Sequence, residues 1–152
     1  MRKFVIAILF VTILSGGYWY LSRQSAHDTA MPIVTATISD TTFRLHAPQT
    51  SEQNQTGLAA FRTLAADEGM VFRTLEPGLQ RFWMKDMAYD IDILWVNKEN
   101  RIIHIVYSAA RDSYPKTYSN PPGTESTYVI ELPAGTCDKH GIAPGAIVTI
   151  KS

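Results

Sequence analysis

Apolar and β-branched residues recur with a period of two in several short segments, a pattern typical of strands. Ser39-Asp40 has the composition of a turn between the first two segments, and residues 97–100 have that of a hairpin loop. The strands predicted in this way are 33–38, 41–45, 70–72, 80–85, 91–96, 101–107, 128–132 and 146–151. The hydrophobic pattern therefore predicts a β-rich domain.

Helical signals are weaker. Residues 50–63 permit a helix but are only weakly amphipathic. A short helix is predicted to begin with Thr136 as its N-cap and to end at Gly141, with Pro144 preventing its continuation. We interpret His140 as a residue of that helix end and not as a catalyst. The single cysteine, Cys137, cannot form an internal disulfide, and we interpret it as an unpaired helix cysteine, with a dimer disulfide as the alternative.

The segment 108–126 contains three prolines and no hydrophobic periodicity. Structureless loops of this length are uncommon in compact domains and are often functional or disordered. Tyr114 and Tyr118 offer flat surfaces with a polar tip, which suits contacts with sugars or peptides. A surface loop held in place by its tyrosines and prolines is an equally good interpretation.

The N-terminal segment is the longest apolar run of the chain. Residues 4–21 would span about 27 Å as a helix, close to the thickness of a bilayer core, and basic residues precede them. We predict an uncleaved membrane anchor at 1–22, a linker at 23–32 and an exported domain at 33–152, with the N-terminus in the cytoplasm. A cleaved signal peptide, giving a secreted protein, is the alternative.

Charge and length narrow the class of protein. The chain has 14 basic and 14 acidic residues, without a basic patch, so the sequence gives no indication of nucleic-acid binding. The length beyond the anchor suits one domain with a single core. We find no catalytic, phosphate-binding or zinc-binding motif, and we predict no cofactor and no metal.

Residues 82–96 place charges within an apolar stretch, where an unpaired ion is costly. In the predicted strand 91–96 both faces are apolar except at Asp92, which indicates a central strand. Asp92 is then either a structural carboxylate that accepts hydrogen bonds from loop amides or a perturbed functional group. A cation site formed by Asp86, Asp90 and Asp92 is a further, weaker hypothesis.

Several short motifs follow one another in a distinctive order. They are Gly57-Leu58, Phe61-Arg62-Thr63-Leu64, residues 67–72, residues 82–86, Ile91-Asp92-Ile93, residues 128–135, Gly141-Ile142 and Pro144-Gly145. In this combination, residues 41–150 resemble the domain of unknown function family 192, an uncharacterised prokaryotic family. The resemblance implies a compact, mostly β domain with a small helical part, often behind a signal peptide or anchor, and no established reaction.

The resemblance also marks a site region. The matching positions are Phe82, Trp83, Met84, Lys85, Asp92 and Glu131. The chain departs from the family pattern at Ala59-Ala60, where a methionine is common, at Asp86, where asparagine is common, and at Asp90, where proline is common. The added carboxylates could weaken a site for an anion or create one for a cation.

These observations combine into one expectation. We expect an α+β, mostly β fold: a compact antiparallel barrel-like sheet with one or two short helices, preceded by a transmembrane helix. The leading functional hypothesis is a non-catalytic ligand-binding or interaction module of the cell envelope. The alternatives are a hydrolase that uses Asp92 and Glu131, with His104 as an added candidate, and a structural assembly protein. The candidate ligand-binding residues are Trp83, Lys85, Asp86, Asp92, Glu131, Tyr114 and Tyr118.

Overall fold

The computed structural model describes residues 31–151. The predicted anchor at 1–22 and most of the predicted linker at 23–32 lie outside these residues. Within residues 31–151, no helix is both long enough and apolar enough to cross a membrane.

Between residues 31 and 151, nine strands form two sheets. They are β1 (Ile33–Ile38), β2 (Thr41–His46), β3 (Glu68–Gly78), β4 (Arg81–Trp83), β5 (Ile91–Val96), β6 (Ile102–Ala109), β7 (Thr117–Ser119), β8 (Ser126–Pro133) and β9 (Val148–Lys151). Seven of them form one sheet in the order β6-β5-β8-β3-β2-β1-β9, while β4 and β7 form a small second sheet. All eight predicted strands are present, and β3 is much longer than its three predicted residues.

The main sheet curls into a half-barrel. A bridge between Arg101 and Ile147, together with a hydrogen bond from the Ile102 amide to the Ala146 carbonyl (2.9 Å), brings its two edges together at one end. The prediction of an all-antiparallel sheet is wrong at one place, because β2 and β3 are parallel. Parallel neighbours need a crossover connection. Residues 47–67 supply it and contain α1 (Ser51–Thr56) and a 3₁₀ helix (Gly57–Ala60).

The two faces of the sheet have different roles. The concave face, called here the core face, carries the main hydrophobic core, in which Leu94, Ile130 and Leu132 are fully buried. The opposite face, called the cleft face, lies against the small sheet through Phe82, whose ring contacts those of Phe72 (5.0 Å between centroids) and Trp95 (6.2 Å). All six residues of β5 are buried, which confirms that it is a central strand.

The short helix near the C-terminus, α2 (Thr136–Lys139), ends as predicted. His140 is its C-cap, Gly141 adopts a left-handed conformation (φ 61°), and the Ile142 amide donates to the Cys137 carbonyl at 2.9 Å. The predicted N-cap is wrong: Gly135 holds that position, and Thr136 is the first helical residue. Cys137 is buried and free, as predicted.

The predicted structureless loop 108–126 is partly ordered into β7, which pairs with β4. Its main internal anchor is Asn120, a fully buried residue. The Asn120 side-chain oxygen accepts from the Gln80 amide at 2.9 Å, and its nitrogen donates to the Thr124 carbonyl at 2.9 Å. These bonds tie the segment to the connection between β3 and β4, and they position the small sheet beside the cleft face.

Candidate ligand-binding cleft

Glu131 lies in the middle of the main sheet. Its β8 position pairs with Ile93 of β5 and with Met70 of β3, which places its side chain on the cleft face. Only 4% of the residue is exposed. Burial raises the pKa of the Glu131 carboxyl from 4.5 to about 8, so most of this group is protonated at neutral pH.

The Glu131 carboxyl has no hydrogen-bond partner within residues 31–151. Every fully enclosed side-chain polar atom in the same part of the chain does have one. The Glu131 carboxyl therefore reaches open space instead of being sealed in the core. A buried polar group without a partner is costly, and such groups in native proteins often indicate a functional role.

That open space is a cleft of about 550 Å³, called here the Glu131 cleft. Its apolar wall is formed by residues of three different elements, namely Leu58, Phe72, Phe82 and Met87. Leu58 comes from the 3₁₀ helix, which Gly57 begins with a positive φ of 56°. Small-ligand sites are typically concave, mostly apolar and provided with a few polar groups, and their volumes are about 300–1,000 Å³.

Three cations line the Glu131 cleft: Arg73, Arg81 and Lys85. All three are exposed, and none of them forms an ion pair within the described part of the chain. Glu76 is the one other acidic residue of the lining. With Glu131 protonated, the charges around the cleft sum to a positive value, and a protonated carboxyl lies at its base.

A second depression of about 520 Å³ adjoins the Glu131 cleft. Trp83 and Lys85 line both spaces, whereas Asp86 and Tyr114 line only the second. Trp83 is 44% exposed and Tyr114 is 52% exposed, so both aromatic side chains are open to contact. Five of the seven predicted site residues thus come together in two neighbouring spaces, with Glu131 at the base of one.

Asp86 is an exposed turn residue with a positive φ of 60°. Asparagine and aspartate tolerate this left-handed conformation better than most residues, which accounts for either one at this position. Asp90 accepts a hydrogen bond from the Arg111 amide at 2.9 Å. No group of three potential ligand residues within residues 31–151 could hold a metal ion, so Asp86, Asp90 and Asp92 do not form the hypothesised cation site.

Asp92 lies on the core face and is fully buried. Its carboxylate accepts hydrogen bonds from three backbone amides: Ser108 at 2.8 Å, Gly135 at 3.3 Å and Cys137 at 2.8 Å. The last two belong to the N-terminus of α2, which Asp92 therefore caps from another strand. This geometry explains why Thr136 is not needed as the cap, and it matches the structural interpretation of Asp92.

Asp92 and Glu131 do not face one another. Asp92 pairs with Leu132 and Glu131 pairs with Ile93, so the two carboxyl groups emerge on opposite faces of the sheet. His104 pairs with Trp95, and the two rings are 5.4 Å apart, which places His104 on the cleft side of β6 and away from Asp92. The structure does not assemble the carboxylate pair that a hydrolase would need.

The two loop tyrosines differ in their surroundings. The Tyr118 hydroxyl lies 3.1 Å from the Ser113 hydroxyl, and the Lys116 amine lies 4.6 Å from the centre of the Tyr118 ring. Tyr118 therefore holds the loop together, whereas Tyr114 remains exposed beside the second depression. The interpretation of a surface loop held in place by its side chains therefore fits Tyr118. The interpretation of an exposed contact surface fits Tyr114.

Several residues of the cleft or in contact with its lining were not among the predicted site residues. Tyr89 donates a hydrogen bond to the Leu58 carbonyl at 3.3 Å, and burial, followed by the charge of Glu131, raises the pKa of Tyr89 to about 12. Arg81 could have been found from its position two residues before Trp83, which gives both the same side of a strand. Leu58 and Phe72 occur in the motifs above, but nothing local indicates that they meet.

Comparison with known proteins supports the fold. The family model of DUF192, described as an uncharacterised family, matches residues 33–150. A crystal structure of a candidate transcription regulator from Sinorhizobium meliloti 1021 has a TM-score of 0.73 and 24% identity, covering 80% of this chain and 96% of the other. A protein of unknown function from Novosphingobium aromaticivorans DSM 12444 has a TM-score of 0.72 and 27% identity, covering 80% of this chain and 87% of the other. No curated protein matches the chain.

Proposed function

This chain belongs to the DUF192 family, and from that premise we propose that its domain is a non-catalytic module that binds a small organic ligand in the Glu131 cleft. The observation that carries the proposal is the Glu131 carboxyl, 4% exposed and without a hydrogen-bond partner in the described residues, at the base of an apolar cleft. A ligand that bonds to this carboxyl would supply the missing partner.

The free-energy cost of a buried, unpaired carboxyl at Glu131 supports a functional role for this residue. Leaving a buried polar group unpaired costs about 1–3 kcal/mol, whereas an apolar side chain of similar size at this position would add to the packing. Ile93 and Met70, which pair directly with Glu131, show that neighbouring positions on the same face hold such side chains. A binding site accounts for a carboxyl at Glu131, because the ligand recovers the lost hydrogen bond.

The proposal includes a location in the cell envelope, tethered through residues 4–21. Its support is the apolar run behind a basic N-terminus. An assembly role has separate support in the exposure of Trp83 and Tyr114, since exposed aromatic residues are enriched at protein interfaces. The cleft between the sheet and the 3₁₀ helix favours a small ligand, because a flat protein partner would not reach the buried Glu131 carboxyl.

The test uses a substitution that fills the mouth of the cleft. Thr56 is exposed and lines both the Glu131 cleft and the second depression, so Thr56→Trp should obstruct them without disturbing the core. Thr149→Trp, at an exposed position on β9, is the matched control. We expect a fluorine-NMR screen of small fluorinated fragments of mixed charge to give compounds that bind the full-length wild type and Thr149→Trp but not Thr56→Trp.

Two results would count against binding in this cleft. One is the absence of any fragment that binds the wild-type chain. The other is a set of fragments whose binding survives Thr56→Trp unchanged, since those fragments must lie elsewhere. Circular dichroism of each variant verifies that the fold is retained.

A further inference from the structure

We propose that the ligand is an elongated organic anion whose charged end lies beside Arg81 and Lys85 and whose buried end offers a hydrogen-bond acceptor to Glu131. This inference rests on the proposed function and adds the chemical class of the ligand. Three features of the cleft carry it: the state of the carboxyl at its base, the charges of its lining and the shape of its apolar wall.

The carboxyl at the base acts as a hydrogen-bond donor. An ionised carboxylate with no partner would be strongly disfavoured at a position that is only 4% exposed, and the pKa of about 8 follows from this burial. A protonated carboxyl has one O–H to donate. Its natural partner is a carbonyl, ether or hydroxyl oxygen at the inner end of the ligand.

A cationic ligand is the main alternative, because an ammonium group could pair with ionised Glu131. The lining charges disfavour it. Arg81 and Lys85 are exposed without ion-pair partners in residues 31–151, whereas Glu76 is the single acidic residue of the lining besides the protonated Glu131. An approaching ammonium would be repelled by this set, and a carboxylate, sulfate or phosphate group would be attracted.

The lining of the cleft also indicates the chemistry of the ligand between its two ends. Leu58, Phe72 and Phe82 line the same cleft as Glu131 and the cations, and they suit an apolar or aromatic body. Past Lys85 the charge changes sign, because Asp86 lines the second depression. The anionic group is therefore expected at Lys85 and Arg81, with any further extension of the ligand uncharged.

The experiment compares three compounds with one body and different ends: 5-(4-methoxyphenyl)pentanoate, the corresponding alcohol and the corresponding amine. The methoxy oxygen is the acceptor for Glu131. Isothermal titration of the full-length wild-type chain at pH 7 should give the tightest binding for the pentanoate, about tenfold weaker binding for the alcohol and still weaker binding for the amine.

Variants of Lys85 and Glu131 test which residue contacts each end of the ligand. Lys85→Gln should weaken the pentanoate several-fold and leave the alcohol unchanged, and Lys98→Gln, an exposed lysine outside the cleft, should change neither. Glu131→Leu should remove the advantage of each methoxy compound over its analogue without the methoxy group. Glu131→Gln, which still has a donor, should preserve that advantage.

The outcomes separate this inference from the proposed function. If the amine binds most tightly, if all three compounds bind equally, or if none binds while the fragment screen gives cleft binders, the anion proposal is overturned and the binding module stands. If the fragment screen also gives no cleft binder, both fail.

Discussion

Asp92 and Glu131 lie on adjacent, directly paired strands, and both are almost fully buried. Asp92 faces the core and is bonded by three backbone amides, one from β6 and two from the N-terminus of α2. Glu131 faces the cleft and has no hydrogen-bond partner within residues 31–151. One carboxyl group therefore stabilises the fold, while the other is available to a ligand. The difference arises from a single step along the strand register, because neighbouring positions of a strand point to opposite faces.

The surroundings of the two groups explain their different chemistry. Amide donors at 2.8 Å replace the water that a buried carboxylate at Asp92 would otherwise need. No such donors surround Glu131, and its burial raises its pKa to about 8. Chemically similar side chains thus have opposite surroundings within one sheet.

Removal of the Asp92 carboxylate should have the largest effect. Asp92→Ala leaves the amides of Ser108, Gly135 and Cys137 without their acceptor, and the free energy of unfolding should fall by about 3 kcal/mol or more. Urea unfolding of the full-length chain measures this loss. Asp90→Ala, which removes one exposed bond to the Arg111 amide, is the control and should cost under about 1 kcal/mol. Equal losses in both variants would show that Asp92 is not the structural carboxylate described here.

Gly69→Ala should have the next largest effect. A Cβ atom at Gly69 would overlap the Glu131 carbonyl oxygen and lie 2.9 Å from a Leu45 methyl carbon, and the backbone carbonyl cannot move without disturbing β8. Overpacking of this kind costs about 1–3 kcal/mol. Gly78→Ala is the matched control, because nothing lies within 4 Å of the position that its Cβ atom would take. A thermal melt in which the two variants unfold together would contradict the close approach of β8 at Gly69.

The fold was largely predictable from the sequence, and the cleft was not. Strands such as β1 follow from local alternation, and the end of α2 follows from Gly141. The parallel pair β2–β3 was missed because the pairing of distant strands leaves no local signal. Asn120 was missed because a buried polar residue in a loop resembles any other loop asparagine.

The candidate ligand-binding site was also predictable only in part. Trp83, Lys85 and Glu131 could be predicted from their place in the motifs, and all three line one cleft. The distinction between Asp92 and Glu131 depends on which segments lie near each carboxyl group. These are residue 108 of β6 and residues 135–137 at the N-terminus of α2 for Asp92, and residues 54–58 of α1 and the 3₁₀ helix for Glu131. Such distant contacts cannot be read from the strand that carries the carboxyl.

The most direct test of the account is the pH dependence of stability in the wild type and in Glu131→Gln. Because folding raises the pKa of Glu131 from 4.5 to about 8, the unfolded chain releases this proton at a lower pH than the folded chain does. Glu131 therefore lowers the stability of the fold progressively as the pH rises between these values, and it adds no further change above the higher one. Glutamine does not titrate, so the free energy of unfolding of Glu131→Gln should rise relative to the wild type by up to about 1.4 kcal/mol per pH unit across this range. A difference between the two proteins that stays constant from pH 4.5 to 8 would contradict the unpaired, protonated carboxyl on which the proposed site depends.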